Sequence, residues 1–178
     1  LTRLISEIRR RCAVLLILSI GDRPAALYEQ LYRAGARGIL LRFETSNPEI
    51  YRNVKSGEIL DTRLALIRTL KQQGYLIMTG FIVGLPQQNL QDTLNDIELT
   101  NSLGAEMFSF GPFIPHPQTP LAGHNSPELE TVLTTIARAR IRNPESRILV
   151  TTALETLDRE NGARRGLLSG ANSVMINV

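Results

Sequence analysis

A chain of 178 residues, 43% apolar and 21% charged, has the composition of an ordinary soluble domain and the length to bury a sizeable core. A net charge of +3 on scattered basic residues leaves no footprint for nucleic acid, and the longest apolar run, Ala13 to Ile20, is too short to cross a bilayer. The single cysteine, Cys12, excludes a disulfide framework and any metal site built from this chain's own thiolates, and no cleavage site follows Arg9-Arg10-Arg11, so a cytoplasmic protein is expected.

The hydrophobic period alternates along the chain. Helical patterns cover Leu1–Arg11, Pro24–Ala34, Asp61–Gln73, Leu90–Leu103, Pro127–Arg142 and Asp158–Leu168. Between them lie apolar, β-branched runs at Ala13–Ile20, Gly38–Glu44, Leu76–Val83, Met107–Phe110, Ile148–Thr152 and Ser173–Asn177. Gly35, Gly74, Gly104 and Gly170 stand where left-handed caps would end helices before the next strand. Runs such as AVLLILSI lack strict alternation, as expected of strands buried on both faces of a parallel sheet.

Polar or glycine-bearing segments follow five of these strands: Gly21-Asp22, Arg42 to Thr45, Gly84 to Pro86, Gly111-Pro112 and Thr151-Thr152. A barrel gathers five strand ends around one mouth, whereas an open sheet has one switch point, so a parallel (β/α) barrel of TIM type is predicted. Closing such a barrel takes about 250 residues, so residues 1–178 are expected to form one partial barrel domain of six βα units. The initial Leu1, in place of Met, fits the same expectation.

Alternation puts Arg42 and Glu44 on one face of their strand, able to pair with each other and to offer a carboxylate to a ribose and a guanidinium to a carboxylate. An ion pair that simply ends the strand accounts for the spacing equally well. Gly80 and Gly84 in TGFIVGLPQ would let a flat ligand lie against bare backbone, with free amides for a purine edge; packing is the alternative. The G-x-G-x-x-G and Walker patterns are absent. Four prolines stiffen Gly111–Leu121, a segment suited to walling a barrel mouth.

Taken in order and spacing, LLRFETSNPEIY, TRLALIRTLKQQGY, TGFIVGLPQQ, GPFIPHPQTPLAG and VTTA resemble the biotin-synthase-like branch of radical S-adenosylmethionine (SAM) enzymes, and within it the hydrogenase-maturase group. The likeness covers essentially the whole chain, as strands three to eight of that barrel. It implies that Glu44 binds the SAM ribose, that Arg42 and Arg63 hold the SAM carboxylate, and that Gly80, Ile82 and Gly84 contact adenine, with Gln87 in place of the usual Glu. It also implies that Met107, Thr151 and Thr152 line a cavity for a small-molecule substrate. SAM and a 4Fe–4S cluster are the implied cofactors, and hydrogenase-maturation proteins the implied partners. The C-x-x-x-C-x-x-C segment that holds the cluster is not among these residues, so this chain by itself is expected to be inactive. Methylornithine or biotin synthase, or a cluster-free barrel that binds SAM or a small molecule, are the alternatives.

Overall fold

The computed structural model describes residues 1–175. Its core is a parallel sheet in the order β1 (Ile17–Leu18), β2 (Gly38–Leu40), β3 (Leu76–Thr79), β5 (Met107–Pro112), β6 (Arg147–Val150), β7 (Ser173–Val174), with β4 (Ile82–Val83) also on β5. Neighbours in space are neighbours in sequence, which is the winding of a barrel wall and not of a sheet with a switch point. Helices α1 (Thr2–Arg11), α2 (Ala25–Ala34), α4 (Leu60–Gln72), α5 (Leu90–Ser102), α6 (Leu129–Arg142) and α8 (Gly162–Leu168) match the predicted helical runs, α8 beginning four residues late. The four cap glycines all have positive φ, between 66° and 118°. Among the described residues, no helix is long and apolar enough to cross a membrane.

The strands differ from expectation in ways that shape the mouth. The run Leu76–Val83 is broken at Gly80, where a Cβ would stand 2.3 Å from the Ser109 carbonyl oxygen. That close approach turns the chain, yet β4 resumes on β5 in the register of β3, Met78 facing Met107 and Ile82 facing Gly111. The second strand ends at Leu40, and Glu44 returns only as an isolated bridge to Phe81, in left-handed backbone (φ 68°).

Ile148–Thr152 is also shorter than predicted, because Thr151 leaves the sheet and Thr152 opens α7 (Thr152–Leu157). Of the last predicted strand, Ser173 and Val174 form β7 and the Met175 amide donates to Val150 O, while residues 176–178 lie outside the described residues. One further helix, α3 (Pro48–Val54), sits in the loop after Glu44. Pro48 stands at its first turn, and the Asn47 Oδ1 accepts from the amides of Glu49 and Ile50.

Alternation along β5 separates two environments. Phe108 and Phe110 are buried in the main core, where Phe110 stacks on Phe81 at 4.7 Å, whereas Ser109 and Gly111 line an open concavity. A second small cluster, Ile50, Leu85 and Phe113, joins α3, the turn after β4 and the proline segment across the mouth. Its three side chains are almost fully buried, so the proline segment is tied down rather than loose.

Candidate functional site

A cavity of about 630 Å³ opens at the C-terminal ends of the strands. The β2 loop supplies Arg42 and Glu44, α4 supplies Arg63, β4 supplies Ile82, and the start of α7 supplies Thr151 and Thr152. Six residues predicted from the sequence are therefore brought together, across four segments of the chain.

Three others are placed elsewhere. Met107 is the first residue of β5, at the far end of that strand from the mouth, and does not line the cavity. Gly84 packs against Pro127, where a Cβ would meet the proline ring at 2.5 Å, and borders a smaller groove between α5 and α6. Gly80 serves the crossing over Ser109. Both glycines make close packing contacts, and neither is in the cavity lining.

Glu44 is nearly buried, and its Oε2 lies 3.3 Å from an Arg42 guanidinium nitrogen. Proximity is not alignment here: Oε2 has no hydrogen-bond partner among the described residues, so the contact is electrostatic only. Backbone bonds hold Glu44 in place, its amide donating to Gly80 O at 3.1 Å and its carbonyl accepting from Ile82 N at 2.8 Å. A left-handed non-glycine residue costs about 1–3 kcal/mol and persists only where its surroundings impose it, often at functional positions.

Arg63 is buried and already engaged. Its guanidinium meets Glu58 at 2.6 Å and Asp22 at 2.9 Å, and donates to Arg42 O at 3.3 Å. Burial alone would lower its pKa, but the hydrogen bond to Glu58 and the negative charges around it hold it above its ordinary value. Tyr51 donates to the same Glu58 oxygen at 3.1 Å, and burial followed by Glu58 pushes its phenol up to about 12. The Nε of Arg63 nevertheless lacks a partner among the described residues.

Thr151 completes the set. It precedes α7 without capping it, and its hydroxyl packs over Gly111, where a Cβ would meet Oγ1 at 2.2 Å. Thr151 Oγ1 is buried and unpaired as well. Of the four such atoms among the described residues, three belong to side chains lining this one cavity, and only Gln73 Oε1 lies away from it. Buried polar groups are normally satisfied, so such a cluster at one cavity marks where a polar ligand would supply the missing partners.

Sequence reasoning missed Lys55, Ser19, Ser109, Phe113 and Ile114, which also line the cavity. It also pointed to Gln87 where Gln88 matters. Gln87 is an exposed turn residue (φ 69°), while the Gln88 Oε1 accepts from the amides of Gly84 (2.6 Å) and Leu85 (3.2 Å). With Ile82 N bonded to Glu44 O, the amides expected to be free for a purine edge are already occupied, leaving the Ile82 side chain on the cavity wall.

A parallel half-barrel with a polar mouth defines a (β/α)-barrel enzyme wall, and by its 37% identity to a hydrogenase maturase the chain belongs to the biotin-synthase-like branch of the radical SAM superfamily. No protein-family model matches the chain. The FeFe-hydrogenase maturase subunit HydE of Thermotoga maritima is 37% identical over 174 residues, which are 98% of this chain and 49% of that protein. The 3-methylornithine synthase of Methanosarcina barkeri is 26% identical over 171 residues, 96% of this chain and 48% of that protein. The crystal structure of a methylornithine synthase matches with a TM-score of 0.88 at 25% identity, over 97% of this chain and 50% of that one. The chain spans about half the length of the curated relatives it matches.

Proposed function

We propose that this chain forms the SAM-binding wall of a radical SAM enzyme that serves FeFe-hydrogenase maturation. The observation that carries the reading is the convergence of Glu44 Oε2, Arg63 Nε and Thr151 Oγ1, each buried and unpaired, at the cavity. SAM offers the complementary groups: ribose hydroxyls that donate to a carboxylate, a sulfonium that favours a nearby negative charge, and an amino-acid carboxylate that accepts from a guanidinium. Glu44 would take the ribose, Arg42 and Arg63 the carboxylate, and Ile82 the face of adenine, while Thr151 and Thr152 lie across the cavity for the substrate.

The 4Fe–4S cluster does not fit this chain's own donors. The one cysteine, Cys12, is exposed after α1, ahead of β1 and thus at the opposite end of the barrel wall. Cluster ligands would come from outside residues 1–178. With ligands for the cluster supplied from elsewhere, Glu44, Arg42 and Arg63 would hold SAM for the radical chemistry that the cluster would supply. The residues here would bind and orient SAM.

The maturation role is supported by the 37% identity to HydE, and the methylornithine synthase reading by the TM-score of 0.88. Titration of the protein with S-adenosylhomocysteine, an unreactive SAM analogue, tests the binding role: saturable one-to-one binding, weakened by Glu44→Gln, is expected, and absence of binding would overturn it. Restoring hydrogenase activity to a strain that lacks its own maturase tests the finer role, and growth of a methylornithine-requiring strain instead would reassign it.

A further inference from the structure

Backbone bonds from Glu44 to Gly80 and Ile82 join the two loops at the strand ends, and a buried side chain ties them together beyond that point. Asp96 lies in the middle of α5, fully buried, and does not line the cavity. Its two oxygens serve different loops. Oδ1 accepts from the Ser46 amide at 2.5 Å, two residues beyond Glu44, and Oδ2 accepts from Gln88 Nε2 at 3.0 Å. Gln88 in turn ties down the segment after β4, donating to Ile82 O at 3.0 Å while accepting from the amides of Gly84 and Leu85.

We propose that Asp96 is a positioning residue whose carboxylate clamps the Glu44 loop and the Ile82–Leu85 segment together, and thereby sets the affinity of the cavity for an adenosine-bearing ligand. The inference rests on the SAM-binding reading above for its ligand, and on the hydrogen bonds alone for the clamp. Both partners of Asp96 are N–H donors, so only the ionised carboxylate serves both; a proton on either oxygen meets a donor and breaks that contact. The facing charged group is Asp92, one turn earlier on α5, which accepts from Asn47 Nδ2 at 3.0 Å and from the Asn89 amide at 2.9 Å. No cation pairs with Asp96 among the described residues. Burial first, and Asp92 second, push its carboxyl up to about 6.

The test uses the full protein, with S-adenosylhomocysteine as the probe, calorimetry from pH 7.5 to 5.0, and residue-resolved amide hydrogen exchange. In the wild type, affinity is expected to fall about tenfold over that range while the fold persists. Asp96→Asn is expected to bind about tenfold more weakly at pH 7.5, with no pH dependence and an undiminished melting temperature. It should also exchange the Ser46, Gly84 or Leu85 amides faster. Wild-type binding and exchange in Asp96→Asn would overturn the proposal, as would a loss of affinity that merely follows a loss of melting temperature.

Should Asp96→Asn fail to fold, Gln88→Met removes one arm alone. Faster exchange at Gly84 and Leu85 with Ser46 still protected, and weaker binding, is the expected result; unchanged exchange rejects the clamp. If the wild type binds no S-adenosylhomocysteine, the SAM reading falls by itself. The clamp is then decided by whether exchange of Ser46, Gly84 and Leu85 titrates with a midpoint near pH 6 in the wild type, and its absence rejects it.

Discussion

The two ends of the barrel wall treat their polar groups differently. Ahead of the strands, the charged side chains that lie against the sheet ends include fully matched groups. Glu106 accepts from the Ile77 amide at 2.6 Å and from Lys71, whose ammonium also donates to Gly104 O. Arg140 donates to the carbonyls of Gly170, Pro144 and Ser146, and Asn172 accepts from Ile148 N. Beyond the strands, Glu44, Arg63 and Thr151 each keep an unpaired buried atom. Strand geometry is shared by both ends, so the difference lies in what each end is for: one closes the wall, and the other is left complementary to something not of the chain. Gln73, with an unpaired oxygen at the end of α4, is the exception among the described residues.

The largest effect that would sharpen this contrast is the pH dependence of stability carried by Asp96. Its folded pKa, about 6, lies above the ordinary 3.8, so the folded state holds the proton more tightly than the unfolded one. This group alone therefore destabilises the fold as pH rises from about 4 to 6, by roughly 3 kcal/mol at most. Asp96→Asn should abolish that slope in denaturant titrations, and an unchanged slope would place the shift elsewhere.

Next in size, Glu44→Gln should weaken S-adenosylhomocysteine binding by about 10–100-fold, the range of a lost hydrogen bond to a charged group. Its thermal stability should hold, because Glu44 Oε2 accepts no hydrogen bond among the described residues and its contact with the partly exposed Arg42 is electrostatic only. Glu106→Gln tests the opposite end: it should lower unfolding free energy by about 1–2 kcal/mol and leave ligand affinity as it was. Thr151→Val is the smallest, raising stability by about 1 kcal/mol through removal of an unsatisfied hydroxyl while reducing affinity a few-fold. Equal losses of stability from Glu44→Gln and Glu106→Gln would erase the distinction between the ends.

Much of this was legible in the sequence. Helix-cap glycines, alternating helix and strand runs, and polar residues after successive strands identified the wall with Arg42, Glu44, Thr151 and Thr152 at its mouth, and the resemblance added Arg63 and Ile82. What escaped depends on contacts between distant segments. The break at Gly80 exists because the β5 backbone crosses there, and nothing local in TGFIVG reveals Ser109. Gln88 sits beside an exposed Gln87, and only the turn geometry decides which reaches the Gly84 amide. Asp96 looks like one more polar residue on an amphipathic helix, because burial beneath the loop after Glu44 leaves no sequence pattern. Met107 was given to the substrate cavity by the resemblance alone, and its place at the start of β5 sets it away from the lining.

The chain contains no tryptophan and four tyrosines. Tyr75 packs edge-on against Tyr28 and Tyr32 where α2 meets the sheet, with ring centroids 6.1 and 5.0 Å apart. Tyr51 stands apart from them, its hydroxyl on the carboxylate that braces Arg63. Tyr28 also reaches the mouth, donating to the cavity residue Gly21, so two tyrosine chromophores are coupled to the cavity while Tyr32 and Tyr75 report the packing of α2 on the sheet. When a ligand carboxylate competes with Glu58 for Arg63, the phenol of Tyr51 loses or keeps its acceptor, and a label-free optical reading of the cavity comes built into the sequence.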